Sequence, residues 1–307
     1  MSDPVPLPKI IAIIGPTASG KTSIAFELAP HFNGEIVSCD SVQIYRELDI
    51  GSAKPSPEEM GRVPHHLVDI LSPDTVVDAW KYKELAEKVI GDILSRSKIP
   101  FLTGGTGMYF NSLYFGMFEG ASRDETIRAQ IMQRLEKEGT KPALDELKII
   151  DPEVGDKILP NDIRRIVRAL EVYYVTGTPI SKLRELNRRM ELDWLIIGLN
   201  PDRKALYERI NARVDMMIEK GLIDETARLI EKYGADAHSL QSIGYRHCVE
   251  YLSGKIDRET MIAMTKQDTR HYAKRQWTWF RKIPGVRWFD PLQLDAIAES
   301  VSSFLET

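Results

Sequence analysis

IIAIIGPTASGKT, residues 10–22, decides the fold. Residues 10–14 are a continuous, largely β-branched apolar run, the pattern of a short strand buried on both faces of a parallel sheet. The run stops at Gly15 and Pro16, and from Lys21 the spacing turns helical, with Ile24, Ala25 and Leu28 on one face. Between them GPTASGKT satisfies G-x-x-x-x-G-K-S/T in the setting that gives it meaning. A strand leads into it and a helix leaves it, so backbone N–H groups and the helix dipole converge on phosphate oxygens. Gly15, Pro16, Thr17, Ala18, Ser19, Gly20, Lys21 and Thr22 are therefore expected to cradle a diphosphate or triphosphate, with Lys21 on the outer phosphate and Thr22 a ligand for Mg2+. A plain strand-to-helix turn would leave Lys21 an unexplained charge at a helix start. Kinases, ATPases and GTPases share this cradle, so it does not fix the function.

Working outward, residues 35–39 are β-like and end at Asp40. Residues 82–94 have helical spacing through Leu85, Val89 and Ile93, and residues 99–103 form another buried-strand run ending at Gly104, Gly105 and Gly107. The expectation is an α/β fold, a P-loop NTPase-like parallel-sheet core. From 122 to 190 no buried-strand run occurs, whereas 127–135, 143–150 and 163–175 read as helices; WLIIGL at 194–199 is a core strand again. This implies a helical subdomain, residues 121–192, inserted between strands of one core built from 1–120 and 193–307. Asp202 is placed to cap a helix over 204–220 that Gly221 closes, and the rest of the C-terminal third reads as helical.

With 307 residues, 43% of them hydrophobic, the chain can bury a full core. Two cysteines, Cys39 and Cys248, suggest neither a disulfide framework nor a zinc site, and the six histidines have no metal-ligand spacing. The N-terminal residues do not read as a signal peptide, and no apolar run approaches the roughly 20 residues needed to span a bilayer. A cytoplasmic monomer without membrane contact is expected.

Asp40 follows a strand at the edge where ligands bind in open α/β sheets. It could act as general base, hold magnesium through water, or cap the turn at Ser41. TGGTGMY, residues 103–109, is a second glycine-rich turn at a strand end, either a tight turn or a place where backbone and the Thr106 hydroxyl approach a ligand. No acidic residue ends that strand, so the aspartate of a nucleotide hydrolase is missing there.

The net charge of −4 conceals two basic segments. Residues 161–190 carry seven basic side chains against three acidic, a local +4, including Arg164, Arg165 and Arg168 beside an apolar helical stripe. Residues 266–288 carry seven against one, a local +6. On a helix, Arg270, Lys274 and Arg281 share a face with Trp277, while Tyr272 and Trp279 point away, so Trp279 is expected in the core and Trp277 at solvent or ligand. Basic side chains with an aromatic suit phosphate contact plus stacking on an unpaired RNA base. Arg209 and Arg213, four apart on the helix after Asp202, could either reach a phosphate or be solvated surface.

Together GPTASGKT, DSVQIYRELDIGSAKP (40–55), PHHLVDI (64–70), GGTGMYF (104–110), RRIVRALEV (164–172), SIGYR (242–246) and YAKRQWTWFR (272–281) resemble, in order and over most of the chain, the tRNA dimethylallyltransferases, also called tRNA isopentenyltransferases. The resemblance implies transfer of a dimethylallyl group from dimethylallyl diphosphate to the exocyclic amine of the adenosine 3′ of the anticodon, with Mg2+ as cofactor and the tRNA anticodon stem-loop as partner. It makes Asp40 the general base, gives Thr106 a catalytic role and Arg213 a diphosphate or transition-state contact. It carries tRNA contacts onto Asp40, Ser41, Val42, Gln43, Thr106, Arg128, Arg164, Arg165, Ile166, Val167 and Arg168; the basic C-terminal helix adds Lys274, Trp277 and Arg281. Arg164 stands where Gln is common in the family and Ser52 where Thr is common. A zinc-finger extension found in many eukaryotic members is absent from this sequence, which points to a bacterial-type enzyme. Two rivals remain: a small-molecule P-loop kinase with a helical lid, against which the two basic segments argue, and a nucleotide-switched RNA-binding module, which predicts tight ATP or GTP binding and no transfer product.

Overall fold

The computed structural model describes residues 6–118 and 124–307. The expected boundary at 120–121 lies outside the described residues. Contacts divide the chain into two compact units, one of Met1–Asn111 with Glu191–Thr307, the other Ser112–Met190.

The larger unit is built on six strands: β1 (Lys9–Ile14), β2 (Gly34–Ser38), β3 (His65–His66), β4 (Ile99–Gly104), β5 (Asp193–Leu199) and β6 (Arg287–Phe289). They pair in the order β3-β2-β4-β1-β5-β6, every pair parallel. The first half of the chain adds α1 (Lys21–His31), α2 (Pro57–Arg62), α3 (Ala79–Ser95) and α4 (Gly107–Tyr114). The smaller unit holds α5 (Glu125–Glu138), α6 (Thr140–Ile150), α7 (Pro152–Gly155), α8 (Ile163–Thr176) and α9 (Ile180–Glu185). After β5 come α10 (Arg203–Glu219), α11 (Leu222–Tyr233), α12 (Tyr245–Leu252), α13 (Arg258–Phe280) and α14 (Leu294–Glu306).

The central strands are where continuous apolar runs place them. Ile10, Ile11, Ala12 and Ile13 of β1 are fully buried, because β4 and β5 flank it and helices cover the sheet. Ile11 and Ile13 join Ile24 and Leu28 of α1, Ile36 of β2, Phe101 of β4, Leu195 and Ile197 of β5 and Ile297 and Val301 of α14 in one core. Each such side chain contributes about 1.5–3 kcal/mol relative to exposure. Asp202 caps α10 by accepting from the Ala205 amide at 2.9 Å, as its position indicates.

One part of the sequence reading is overturned. The C-terminal third is not wholly helical, since β6 adds a sixth strand. Arg287 and Trp288 are exposed, so no buried apolar run announces this edge strand.

The smaller unit has its own core, with Leu135 of α5, Leu144 and Leu147 of α6, and Ile166, Val167 and Leu170 of α8. Buried Glu171 in α8 accepts from the Asp124 amide at 3.0 Å, Arg128 at 3.2 Å and Arg168 at 3.1 Å. Those two arginines thus neutralise a buried carboxylate, which would otherwise be costly to desolvate.

Candidate active site

Because the sheet is parallel, the chain leaves every strand at the same edge, and the expected chemistry collects there. GPTASGKT wraps from β1 into α1. Gly15 (φ 151°) and Gly20 (φ 94°) hold conformations that favour glycine. A Cβ on Gly15 would meet the Leu199 carbonyl at 3.0 Å, so the loop can sit tightly against the end of β5 only without one. Lys21 is buried and donates to the Pro16 carbonyl at 2.7 Å. Burial lowers the Lys21 ammonium to about 7; the negative charge of Asp40 opposes this and the positive charge of Arg213 adds to it. Ser19 is fully buried and its hydroxyl has no partner among the described residues. Thr22 is exposed on the first turn of α1.

Asp40 follows β2 by two residues. Its Oδ1 accepts from the backbone N–H of Val42 at 2.8 Å and of Gln43 at 3.2 Å, while Oδ2 takes no hydrogen bond among the described residues. Turn capping and chemistry are therefore compatible: one oxygen holds the loop and the other is left to act. Thr106 ties the same loop down, its Oγ1 accepting from the Ser41 amide at 3.0 Å and its N–H donating to the Cys39 carbonyl at 3.1 Å. The Gln43 amide group bonds Ser38 Oγ and the Ala53 carbonyl, at 3.1 and 3.2 Å.

The glycines before Thr106 are required by the protein's own packing. A Cβ on Gly104 would lie 2.1 Å from the Cys39 carbonyl oxygen, and one on Gly105 would lie 2.2 Å from Gln276 Nε2. Arg213, on α10, is the inward member of the Arg209 and Arg213 pair. Burial lowers its guanidinium while Asp40 opposes the shift, whereas Arg209 is exposed. Tyr272 is raised by burial first and by the Asp40 charge second. A carboxylate, an ammonium and a guanidinium thus share one electrostatic neighbourhood at the sheet edge.

Other expected side chains lie elsewhere. Arg164 and Arg165 are exposed at the start of α8, where Arg165 pairs with Asp162 at 3.3 Å. Ile166 and Val167, at 0% and 1% exposure, are core side chains on the apolar stripe of α8, so neither side chain is presented to RNA at the surface. The assignment of α13 faces is also reversed. Trp277, 9% exposed, packs with Leu206 and Ile210 of α10, and Trp279 is 39% exposed. The buried stripe includes Ala273, Gln276, Trp277 and Phe280, so Trp277 packs in the interior and not at solvent. Lys274 and Arg281 remain exposed beside it, the Arg281 guanidinium 5.8 Å from the Trp277 ring centroid. Among the other basic residues of that segment, Lys266 pairs with Asp215 and Arg270 donates to Asn211.

A further residue bears on the site without a sequence signal of its own. Buried Glu225 accepts from the amides of Asp49, Ile50 and Gly51, at 3.3, 3.0 and 3.3 Å, and from the Tyr245 hydroxyl at 2.5 Å. This holds the loop after Asp40, gives the tyrosine of SIGYR a packing role, and excludes a side chain at Gly51, whose Cβ would lie 2.5 Å from the Tyr245 ring. Ser52, also buried, donates within the loop to the Leu48 carbonyl. No helix among the described residues is long and apolar enough to cross a membrane.

Comparison with known proteins gives the site a family. The family model for IPP transferase matches residues 43–283. A tRNA dimethylallyltransferase 2 from Geotalea uraniireducens is 45% identical over 300 residues, covering 96% of this chain and 97% of that protein. A tRNA dimethylallyltransferase from Koribacter versatilis is 45% identical over 298 residues, 96% of each. Among solved structures, the tRNA isopentenylpyrophosphate transferase of Bacillus halodurans superposes with a TM-score of 0.73 at 40% identity, over 97% of both chains. A eukaryotic dimethylallyltransferase captured acting on tRNA gives 0.79 at 29% identity, over 97% of this chain and 77% of that one.

Proposed function

The chain belongs to the tRNA dimethylallyltransferase family, and from that premise we propose that it transfers a dimethylallyl group from dimethylallyl diphosphate to the exocyclic amine of the adenosine 3′ of the anticodon in tRNA, releasing diphosphate. The observation that carries the reading is Asp40, held by one carboxylate oxygen in the same electrostatic neighbourhood as Lys21 and Arg213. An acceptor for a proton and a grip for an anion stand together, as displacement of diphosphate by an amine requires.

The adenine amine is a weak nucleophile because its lone pair is delocalised into the ring, so approach must be enforced and the proton removed. Nitrogen bonds to the allylic carbon, the bond from that carbon to the bridging oxygen breaks, and the amine proton passes to Asp40 Oδ2. Charge gathering on the diphosphate is met by Lys21, by Arg213 and by the amides at the start of α1. Burial makes the two cations effective, since their field acts through little water. Thr106 keeps the Asp40 loop in place through Ser41.

Mg2+ suits the donors present. It prefers oxygen, keeps several waters and binds through one or two protein oxygens plus phosphate. Thr22 offers an exposed hydroxyl on the first turn of α1, and the described residues contain no cluster of three or more His, Cys, Asp or Glu that would cage an ion without phosphate. When bound it would supply further positive charge for the departing diphosphate.

Arg164 and Arg165 in the smaller unit are exposed, and so, in the larger unit, are Lys274 and Arg281 on α13; each pair is suited to contact RNA phosphates of the anticodon stem-loop. The target base must leave its stack, at a cost of a few kcal/mol that such contacts offset. The test is incubation with Mg2+, labelled dimethylallyl diphosphate and an anticodon stem-loop. Label is expected in RNA; folded protein that leaves RNA unlabelled while turning over ATP would overturn the proposal.

A further inference from the structure

The two loops that transfer must hold in register are joined by one side chain, Gln276, and we infer that it is a positioning residue for the transfer step. The inference rests on the reading above. Gln276 is 4% exposed on the inner stripe of α13. Its Oε1 accepts from the Thr17 amide of the phosphate loop at 2.8 Å, and its Nε2 donates to the carbonyl of Gly105 at 2.8 Å. Only this orientation of the side-chain amide works, because the flipped one would set donor against donor at Thr17 and acceptor against acceptor at Gly105.

Both ends of this strut are anchored. Trp277 packs with Leu206 and Ile210, and Ala18 of the phosphate loop lies against the same cluster, so α13 is seated beside the loop it braces. At the other end Gly105 precedes Thr106, whose N–H and hydroxyl hold Cys39 and Ser41 on either side of Asp40. The path Thr17, Gln276, Gly105, Thr106, Ser41 is thus a continuous set of hydrogen bonds and peptide links from the anion grip to the base. It fixes their separation before substrate arrives, which is how a site converts binding into a near-attack geometry. Two consequences follow. The Thr17 N–H is committed to Gln276, so the leaving group is met by the rest of the loop. Gly105 is a glycine because its Cβ would displace Gln276.

The test uses the full chain and three readouts: single-turnover transfer at saturating substrates, equilibrium binding of dimethylallyl diphosphate, and hydrogen exchange of the Thr17 amide. Gln276→Met, similar in length but without either hydrogen bond, is expected to slow transfer by about 10- to 100-fold while leaving diphosphate-substrate affinity within about threefold. Thr17 exchange should be slow in the wild type and fast in this variant. Gly105→Ala should reproduce the loss of rate, and the double variant should be no slower than the slower single by more than about threefold, because both break one link. If Gln276→Met does not fold, Gln276→Glu, which keeps the acceptor for Thr17 and loses the donor to Gly105, is expected to retain Thr17 protection and lose rate. A Gln276 variant at wild-type rate, a loss confined to binding, rate losses that multiply in the double variant, or a rapidly exchanging Thr17 amide in the wild type would each overturn the inference. Wild-type protein that transfers no label would instead overturn the function, and the Thr17 exchange rate would still decide whether the strut exists.

Discussion

Asp40→Asn separates the two jobs that the structure gives Asp40. Asparagine keeps a side-chain oxygen where Oδ1 sits, so the Val42 and Gln43 amides retain their acceptor. The loop is also held independently by Ser41 on Thr106 at 3.0 Å and by Gln43 on Ala53 at 3.2 Å. Folding stability should therefore change by less than about 0.5 kcal/mol. Basicity is lost altogether. A positioned general base contributes about 10²–10⁴ in rate, equivalent to about 3–5 kcal/mol of barrier. The assay is single-turnover transfer at saturating tRNA and dimethylallyl diphosphate, with binding of each measured separately. A rate within about threefold of wild type would refute the assignment of Asp40 as base. Asp40→Ala should lose the same rate and, in addition, about 1 kcal/mol of stability from the two amides left without a cap.

Three further outcomes are expected. Burial lowers Lys21 to about 7; a bound anion raises it, so at pH 8 binding of dimethylallyl diphosphate should take up close to one proton, and affinity should fall by up to about tenfold per pH unit above 7. Calorimetry in buffers of different ionisation heat measures the uptake, which Lys21→Met should abolish. Trp277→Ala should cost about 3–5 kcal/mol of stability, whereas Trp279→Ala should leave the melting temperature nearly unchanged; equal losses would contradict the packing of α13. Glu35, buried and bonded to Arg96, Lys98 and His66, is held well below the usual carboxylate range chiefly by Arg96. Its stabilising contribution is present above the unfolded carboxyl value and lost as pH falls through the lower folded value. Glu35→Gln should therefore flatten the acid limb of stability against pH, and an unchanged limb would count against it.

The central sheet was legible because β1, β4 and β5 are buried on both faces and announce themselves as apolar runs, with β2 a shorter β-like stretch, and the phosphate loop because its spacing is short and local. β3 has two residues and β6 three, too few for any period to show. The faces of α13 were misread for a physical reason. Lys274 and Arg281 suggest a solvent face for Trp277, but they border the buried stripe and extend past it, and Arg281 lies over the Trp277 ring. Gln276 and Glu225 escaped notice because a single polar residue on a helix has no signature. Only its place one turn from Ala273 and Phe280 marks Gln276 as a buried position. Asp40 and Thr106 could be named from motif position, yet the division of labour between the two oxygens of Asp40 needed the hydrogen bonds.

The most direct test of the account is mass analysis of an anticodon stem-loop after incubation with the protein, Mg2+ and dimethylallyl diphosphate. The expected product gains one dimethylallyl group in place of one hydrogen, mapped by nuclease digestion to the exocyclic amine of the adenosine 3′ of the anticodon, with one diphosphate released per group transferred. Unmodified RNA after treatment with folded protein, or a modification mapped to another nucleotide, would contradict it.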